Sequence, residues 1–512
     1  MSLADGNFNF KESLRRRRYT ISSPCEQIGA QGLKMDMKNE KLSPEEEKLN
    51  KMSLEEKLKI PVSDPACVPE KPVTVTFAEV TSAAFKIKEN VVRTPCGVSH
   101  MSESEGMEIF LKQDFLQRSG SFKERGACYA LMMLPEAQKK KGVIAASAGN
   151  HAQALCYHGK KLGIPVTVVM PVFAPIMKIQ ACYRFGGKVI VEGSNMQEAR
   201  HVALVRASKL GLTYINGYDH PHIIAGQGTI GLEIIEQVQD VDAVVIPIGG
   251  GGLIAGAALA IKSLRPNCKI IGVESDRCPG FATSMSCGKP TIVSVMPSLA
   301  DGLAVPLVGV NAFQTARPYI DKVVVVKEEW IAIAILRMVE MEKCVVEGAG
   351  AIGLAAILAG HLSEFKGKRV VLTVSGGNID TTVLGRCLDR GLTADGRLLK
   401  FSVVVSDRAG SIAELCTLLA DVGVTVKDIL QERAWLKNDV FSVKVKIVCE
   451  ARNIGHCKEL MKALTDKYDS VSFAGFMQTL DSNIRTMSTP DLTSSPFYKK
   501  LHMSESGSEY LM

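Results

Sequence analysis

The sequence has no C-x-x-C pair among its 14 cysteines and no H-E-x-x-H among its nine histidines. The first absence argues against a structural zinc site or a disulfide framework and fits a reducing cytosol. The second removes the helix-borne zinc-protease motif, and His220 and His222, two apart, say little about a metal. No Gly-Lys-Ser or Gly-Lys-Thr follows the run Gly249 to Gly252, which excludes a nucleoside-triphosphate loop. No apolar run stands near Met1, so no secretory signal is expected. Despite a net charge of +7, basic and aromatic residues are not interleaved, and no nucleic-acid surface is expected. The uncharged stretch Ala243 to Ile261 is long enough to mimic a membrane span. Pro247 and the four glycines break it into a strand, a loop and a helix, so no membrane partner is expected. Arg15 to Arg18 hint at mitochondrial import, but Asp5 and Glu12 oppose it. The expected location is the cytoplasm.

What is present is a chain of 512 residues, 46% hydrophobic and 22% charged, enough for roughly three domains. Residues 1–72 are polar and low in aromatics and are expected to be a disordered leader. Within it, Arg15 to Arg18 followed by Tyr19-Thr20-Ile21-Ser22-Ser23 form a candidate basophilic kinase site; the plain alternative is a solvated charge run. From 73 to 395, short β-branched runs alternate with helix-length segments. The runs are Gly142–Ala145, Val166–Met170, Lys188–Val191, Ala243–Ile246 and Arg369–Val374. Such runs predict parallel strands buried on both faces, an open α/β architecture. A small subdomain at about 142–219 is expected to be inserted in the larger one. From 396 to 476 the order is βαββαβ, the ferredoxin-like plan. Ser411 and Glu414 predict a capping box at its first helix. Residues 477–512, rich in Ser and Thr, are expected to be a mobile tail.

Four stretches carry chemistry. Lys123, in Ser119-Gly120-Ser121-Phe122-Lys123-Glu124-Arg125-Gly126-Ala127, sits among small and aromatic residues. A desolvated lysine is more often the neutral amine that attacks a carbonyl, the property of a Schiff-base lysine. The plain alternative is a solvated lysine at a helix start. Ser147-Ala148-Gly149-Asn150-His151-Ala152-Gln153-Ala154 follows a strand, and backbone N–H groups at such a helix start bind anions, a substrate carboxylate among them. An ordinary capped helix start is the alternative. Gly249–Gly252 let the backbone wrap an oxyanion; a flexible linker is the alternative. Thr373-Val374-Ser375-Gly376-Gly377-Asn378 presents Ser375 at a sheet's carboxyl edge, unless it is a simple strand-to-loop turn. Two further matches to G-x-G-x-x-G, at Gly226–Gly231 and Gly348–Gly353, lack a preceding buried strand. They are read as glycine-assisted packing rather than a dinucleotide fingerprint.

Together these stretches resemble fold-type II pyridoxal-phosphate enzymes, specifically the threonine/serine dehydratases, over residues about 73–476. The resemblance implies two open α/β domains with the cofactor in the cleft, followed by an ACT-type domain. Pyridoxal 5′-phosphate would be carried on Lys123 beside Phe122. Asn150 would contact the ring oxygen, Gly249, Gly250, Gly251 and Gly252 the phosphate, and Ser375 the pyridine nitrogen. Ser147, Asn150 and His151 would hold the substrate carboxylate. The implied reaction is loss of water from L-threonine to 2-oxobutyrate and ammonia, and from L-serine to pyruvate and ammonia. Related serine racemases place a second serine where this chain has Ala148, so negligible racemisation is expected. They also bind a divalent metal; Glu274 matches one ligand, but Gly280 stands near the position of the other, and no metal is assigned. In the ACT-like segment, Asp407, Arg408, Gly410 and Ser411 lie on the loop where an amino-acid effector would sit. A homodimer or homotetramer is expected by analogy. The rival readings are a serine racemase or another β-eliminating relative, and a non-catalytic amino-acid sensor.

Overall fold

The computed structural model describes residues 43–434, 436 and 440–474. The chain divides into two units, residues 1–51 and residues 52–512. The described part of the first is a helix, Pro44–Lys51, with three glutamates in its first turn and two lysines in its last. That polarity complements the helix dipole. The candidate kinase site at Arg15–Ser23 and the 477–512 tail lie outside the described residues.

The described part of the second unit is built on three sheets. Its strands are β1 (Cys96–Val98), β2 (Glu108–Gln113), β3 (Val143–Ala146), β4 (Val166–Met170), β5 (Lys188–Val191), β6 (Thr213–Tyr214) and β7 (Ala243–Pro247). They continue with β8 (Lys269–Ser275), β9 (Lys322–Val326), β10 (Arg369–Val374), β11 (Leu398–Ser406), β12 (Thr425–Glu432), β13 (Ser442–Glu450) and β14 (Val471–Ala474). The large sheet runs β1-β2-β10-β7-β8-β9, and the small sheet, inserted between β2 and β7, runs β5-β4-β3-β6. All neighbours are parallel except the β1–β2 edge pair.

The central strands of the large sheet are buried on both faces because alternate residues are apolar in both directions. Val244, Ile246, Ile270 and Val371 belong to one core cluster. Ala243, Val245, Ile271, Val370 and Leu372 belong to another. Each fully buried valine or isoleucine contributes about 1.5–3 kcal/mol, so neither face tolerates water. One consequence decides where the site lies. β10 pairs with β2 on one side and β7 on the other, with Leu372 opposite Leu111 and Val245. The segments leaving the carboxyl ends of these strands therefore emerge together. The two G-x-G-x-x-G stretches sit inside the helices Pro221–Gln237 and Gly348–Leu358. There they allow close approach: a Cβ on Gly226 would stand 2.7 Å from the Arg125 carbonyl, and one on Gly350 2.5 Å from that of Gly376. The Ala243–Ile261 stretch resolves into β7, the glycine turn and most of a helix, Gly252–Leu264. Among the described residues no helix is long and apolar enough to cross a membrane.

The C-terminal sheet runs β12-β13-β11-β14, antiparallel throughout, with the helices Ser411–Val422 and Ile454–Lys467 completing a βαββαβ order. β11 and β13 bury every second residue.

Two expectations are corrected. The leader does not stay without structure to residue 72. Ser53 and Glu56 form a capping box at the helix Leu54–Leu58, and Lys57 is buried against Glu192. Leu54 and Val62 pack on the Ile144–Val202 cluster. A few apolar anchors and one buried ion pair order a segment whose average composition is polar. The Ser411 capping box does not form: the residue before the helix is Gly410, at φ 96°, and Ser411 is the buried first helical residue. The turn into the helix needs a left-handed conformation that glycine adopts freely.

Candidate active site

Lys123 is the first residue of the helix Lys123–Met132. Its Nζ donates to the Gly217 carbonyl at 2.6 Å and stands 5.0 Å from the centre of the Phe122 ring. Burial lowers its pKa to about 8, against the opposing pull of Glu347. Far more of it is therefore free amine near neutral pH than in an ordinary lysine.

Three of the four stretches meet through a chain of hydrogen bonds, and the glycine turn reaches them by packing. Phe122 N–H donates to the Ser375 carbonyl at 2.9 Å, and Ser121 bridges to Gly376. Asn378 Nδ2 donates to the Ser119 carbonyl at 2.7 Å and to Asn150 Oδ1 at 2.9 Å. Asn150 Nδ2 in turn donates to Glu347 Oε1 at 2.7 Å, and the Glu347 N–H to the Gly376 carbonyl at 3.1 Å. Gly217, which accepts from Lys123, precedes Tyr218, whose side chain and carbonyl lie against the glycine turn. A Cβ on Gly250 would run into the Tyr218 ring and one on Gly252 into its carbonyl; one on Gly249 would stand 2.9 Å from Leu303 Cα. Gly251 has φ 91°, and no side chain caps the Gly252 helix. The first N–H groups of that helix are thus left for an anion.

His151 sits in the first turn of the helix Asn150–Leu162. Its Nε2 donates to the Ile215 carbonyl at 3.1 Å, which assigns that nitrogen the proton, and its buried Nδ1 has no hydrogen-bond partner among the described residues. Burial, then the Lys123 charge, lower its pKa to about 3, so the ring stays neutral. Ser147 Oγ accepts from Gly149 N–H at 3.3 Å. Ser375 is fully buried at the end of β10.

Glu347 is the residue the motif reading missed. It is buried, and burial, reinforced by Asp301, raises its pKa to about 7. The signal was an acid immediately before an apolar glycine-rich helix, a place where a carboxylate is costly unless it is bonded.

Other sequence candidates lie elsewhere. Glu274 accepts the N–H groups of Phe281 at 2.6 Å and Ala282 at 2.8 Å, so both oxygens are engaged by protein. Burial raises it to about 7. Among the described residues no three His, Cys, Asp or Glu side chains are grouped to hold a metal. In the C-terminal unit, Arg408 and Ser411 line a hollow of about 380 Å³ together with Glu414, Lys467 and Tyr468. Asp407 does not line it: both its oxygens accept from Arg433, at 2.7 and 2.9 Å. Gly410 borders a neighbouring hollow.

These residues fit pyridoxal phosphate. The Gly249–Gly252 turn, closed to any Cβ at Gly250 and Gly252, offers N–H groups to a phosphate. Lys123 offers a free amine to an aldehyde, and Asn150, held by Glu347 and Asn378, is oriented for a ring oxygen.

Residues 87–376 match the family described as pyridoxal-phosphate dependent enzyme. An L-threonine ammonia-lyase of Thermotoga maritima is 40% identical over 402 residues, covering 78% of this chain and all of the relative. The processed form of threonine deaminase isoform 2 from Solanum lycopersicum superposes with a TM-score of 0.59 at 35% identity, over 65% of this chain and 98% of that one. Maize serine racemase superposes with a TM-score of 0.58 at 32% identity, over 63% and 99%. On the strength of that match and of the cleft it covers, this chain belongs to the pyridoxal-phosphate-dependent enzyme family.

Proposed function

We propose that this enzyme removes water from L-threonine and from L-serine, and that the released enamines take up water in turn to give 2-oxobutyrate or pyruvate and ammonia. One observation carries the reading: a lysine amine lowered to about 8 is joined through Gly217 and Tyr218 to an uncapped glycine turn, beside the Asn150–Glu347 pair. The relatives described as L-threonine ammonia-lyase and threonine deaminase support it.

Pyridoxal phosphate, when bound, supplies an electron sink for the pair left at the substrate's Cα. Lys123 Nζ takes the Cα proton as general base; a group titrating near 8 is both available and basic enough at neutral pH. Gly249–Gly252 would hold the phosphate, Phe122 would flank the lysine, and Asn150 would contact the ring oxygen. Ser375 would offer the ring nitrogen an alcohol rather than an acid. A hydroxyl would not keep that nitrogen protonated, which would favour loss of a β-leaving group over transamination. Asn150 and His151 bind the substrate carboxylate through N–H groups at a helix start, and Ser147, whose N–H is taken by the Val169 carbonyl, offers its hydroxyl.

In the C-terminal unit, Arg408, Ser411 and Lys467 offer cations and a hydroxyl to an amino-acid effector, while Gly410 shapes the turn and Asp407 holds Arg433. Heat from titrating the full-length protein with amino acids tests this; no heat with any of them leaves the unit an assembly role. We further propose a homodimer or homotetramer, to be checked by sedimentation, and a cytoplasmic location, in keeping with 13 unpaired cysteines among the described residues.

A second reading, serine racemisation, is favoured by the likeness to maize serine racemase. Ala148 opposes it, because a methyl group cannot move a proton on the second ring face. Reconstituted enzyme given L-threonine and L-serine is expected to form 2-oxobutyrate and pyruvate. Absence of both would end the dehydratase reading. D-serine formed as fast as pyruvate, seen by chiral chromatography, would replace it with racemisation.

A further inference from the structure

The first turn of the helix Ile176–Arg184 leaves apolar side chains in water while it turns a lysine inward. Ile176 and Met177 are 68% and 60% exposed, whereas the side chain of Lys178 is only 15% exposed. Lysine heads ordinarily stay in water and isoleucine does not. An ammonium drawn inward calls for an anion. Asp301 is the acid at hand, with Oδ2 3.2 Å from Lys178 Nζ. Yet Asp301 is 61% exposed, and an ion pair with one partner in water contributes little.

The ammonium has a second neighbour. Nζ lies 3.9 Å from the point where a Cβ on Gly149 would stand, and no other part of the described fold beyond the local backbone comes within 4 Å of that point. Gly149 is the residue before the Asn150 helix; no side chain caps that helix, and its first turn holds no acid. A full positive charge, an open volume and free helical N–H groups therefore converge. The charge also reaches Glu347, whose carboxyl it partly stabilises in the ionised form.

We infer that Lys178 is the specificity residue for the substrate's carboxylate: its ammonium completes the anion site at the start of the Asn150 helix, and Asp301 holds it at the rim until an amino acid arrives. This rests on the dehydratase reading. The two contributions differ in kind. Backbone N–H groups donate to an amide oxygen as well as to a carboxylate oxygen, though more weakly, whereas an ammonium adds a full charge that only an anion answers. Lys178 thus makes the enzyme one for free amino acids rather than for their amides or for peptide ends.

The test compares L-threonine with L-threoninamide on reconstituted full-length enzyme. In Lys178→Met, KM for threonine is expected to rise about tenfold or more, as for loss of a charge-assisted hydrogen bond. Over the same change kcat should move less than about threefold, and threoninamide should be handled as before. Lys178→Arg should keep the preference for the acid. Calorimetric titration with L-alanine, which has no β-leaving group, and with L-alaninamide reads the same contrast without turnover. Asp301→Asn separates the alternatives: a subdomain latch predicts that it copies Lys178→Met, whereas the carboxylate site predicts alanine binding at least as tight as in the wild type. The inference is overturned if Lys178→Met weakens acid and amide alike, if it weakens neither, if wild-type protein binds no L-alanine, or if Asp301→Asn copies Lys178→Met. If no 2-oxo acid forms but alanine binding still depends on Lys178, the dehydratase reading fails and the carboxylate site stands.

Discussion

Two arginine–aspartate pairs with nearly the same geometry sit in the two halves of the described fold. Arg125 donates to both oxygens of Asp114 at 2.6 and 2.8 Å, and Arg433 to both oxygens of Asp407 at 2.7 and 2.9 Å. The first pair is wholly buried and is extended by Glu233; the second has side chains 53% and 33% exposed. In the catalytic region, parallel sheets covered on both faces leave charges nowhere to go except onto each other. In the C-terminal unit, an antiparallel sheet buries alternate residues and leaves its loop charges in water. The lesson is that equal contacts do unequal work. Enclosure turns titratable groups into perturbed ones suited to chemistry, while exposure leaves loop charges free for a ligand.

The sharpest way to break the comparison is at the enclosed amine. Lys123→Ala should lower 2-oxobutyrate formation by about 10³-fold or more, since the covalent anchor and the general base go together. Circular dichroism should remain that of the parent. A variant that released ammonia at the parent rate would detach enclosure from chemistry.

Next is the buried pair. Arg125→Met leaves Asp114 charged with the Thr94 hydroxyl but without its guanidinium, and should cost about 3–5 kcal/mol in denaturant unfolding. Asp114 now lies below the usual carboxylate range because the Arg125 charge and hydrogen bonds outweigh its burial. A loss no larger than that of a surface variant would mean that burial does not separate the two pairs.

Glu347 sharpens the comparison through pH. Its folded pKa is raised from 4.5 to about 7. Between those values the folded protein holds a proton that the unfolded chain has released, so this group costs stability as pH rises from 4.5 towards 7, and the cost levels off above 7. It amounts to roughly 3–4 kcal/mol. Glu347→Gln should therefore gain on the parent in melting temperature between pH 5 and pH 7.5. Melting curves that stay parallel across that range would refute the enclosed-acid account.

The smallest effect belongs to the exposed pair. Arg433→Met should leave the unfolding midpoint where it is, and 2-oxobutyrate formation without effector should not change. A marked loss of stability would show that this loop is enclosed in the working enzyme, by a second copy of the chain for instance.

Much of this was readable along the chain. β3, β4, β7 and β10 are runs of apolar residues with few alternatives to a doubly covered sheet, and the asparagine, glycine and serine stretches each follow one of them; β5, read the same way, is an edge strand whose ends stay exposed. The βαββαβ order of the last unit follows from alternation in β11 and β13. What escaped the reading is whatever depends on partners far apart in sequence. Glu347 matters because Asn150, 197 residues earlier, donates to it. Lys57 is ordered by Glu192, and Asp407 is taken up by Arg433 rather than left to an effector. Ser411 and Glu414 carry the spacing of a capping box, yet the left-handed turn at Gly410 moves the helix start by one residue.

Residue type and short-range spacing thus settled the kinds of element and the chemical vocabulary of the cleft, because hydrophobic periodicity and glycine's freedom act over a few residues. Which charges are enclosed, how far a lysine or a glutamate is moved from its ordinary pKa, and which anion Lys178 faces were settled by packing. Those quantities depend on distance and on the exclusion of water, and both arise only when strands and helices hundreds of residues apart close on one another.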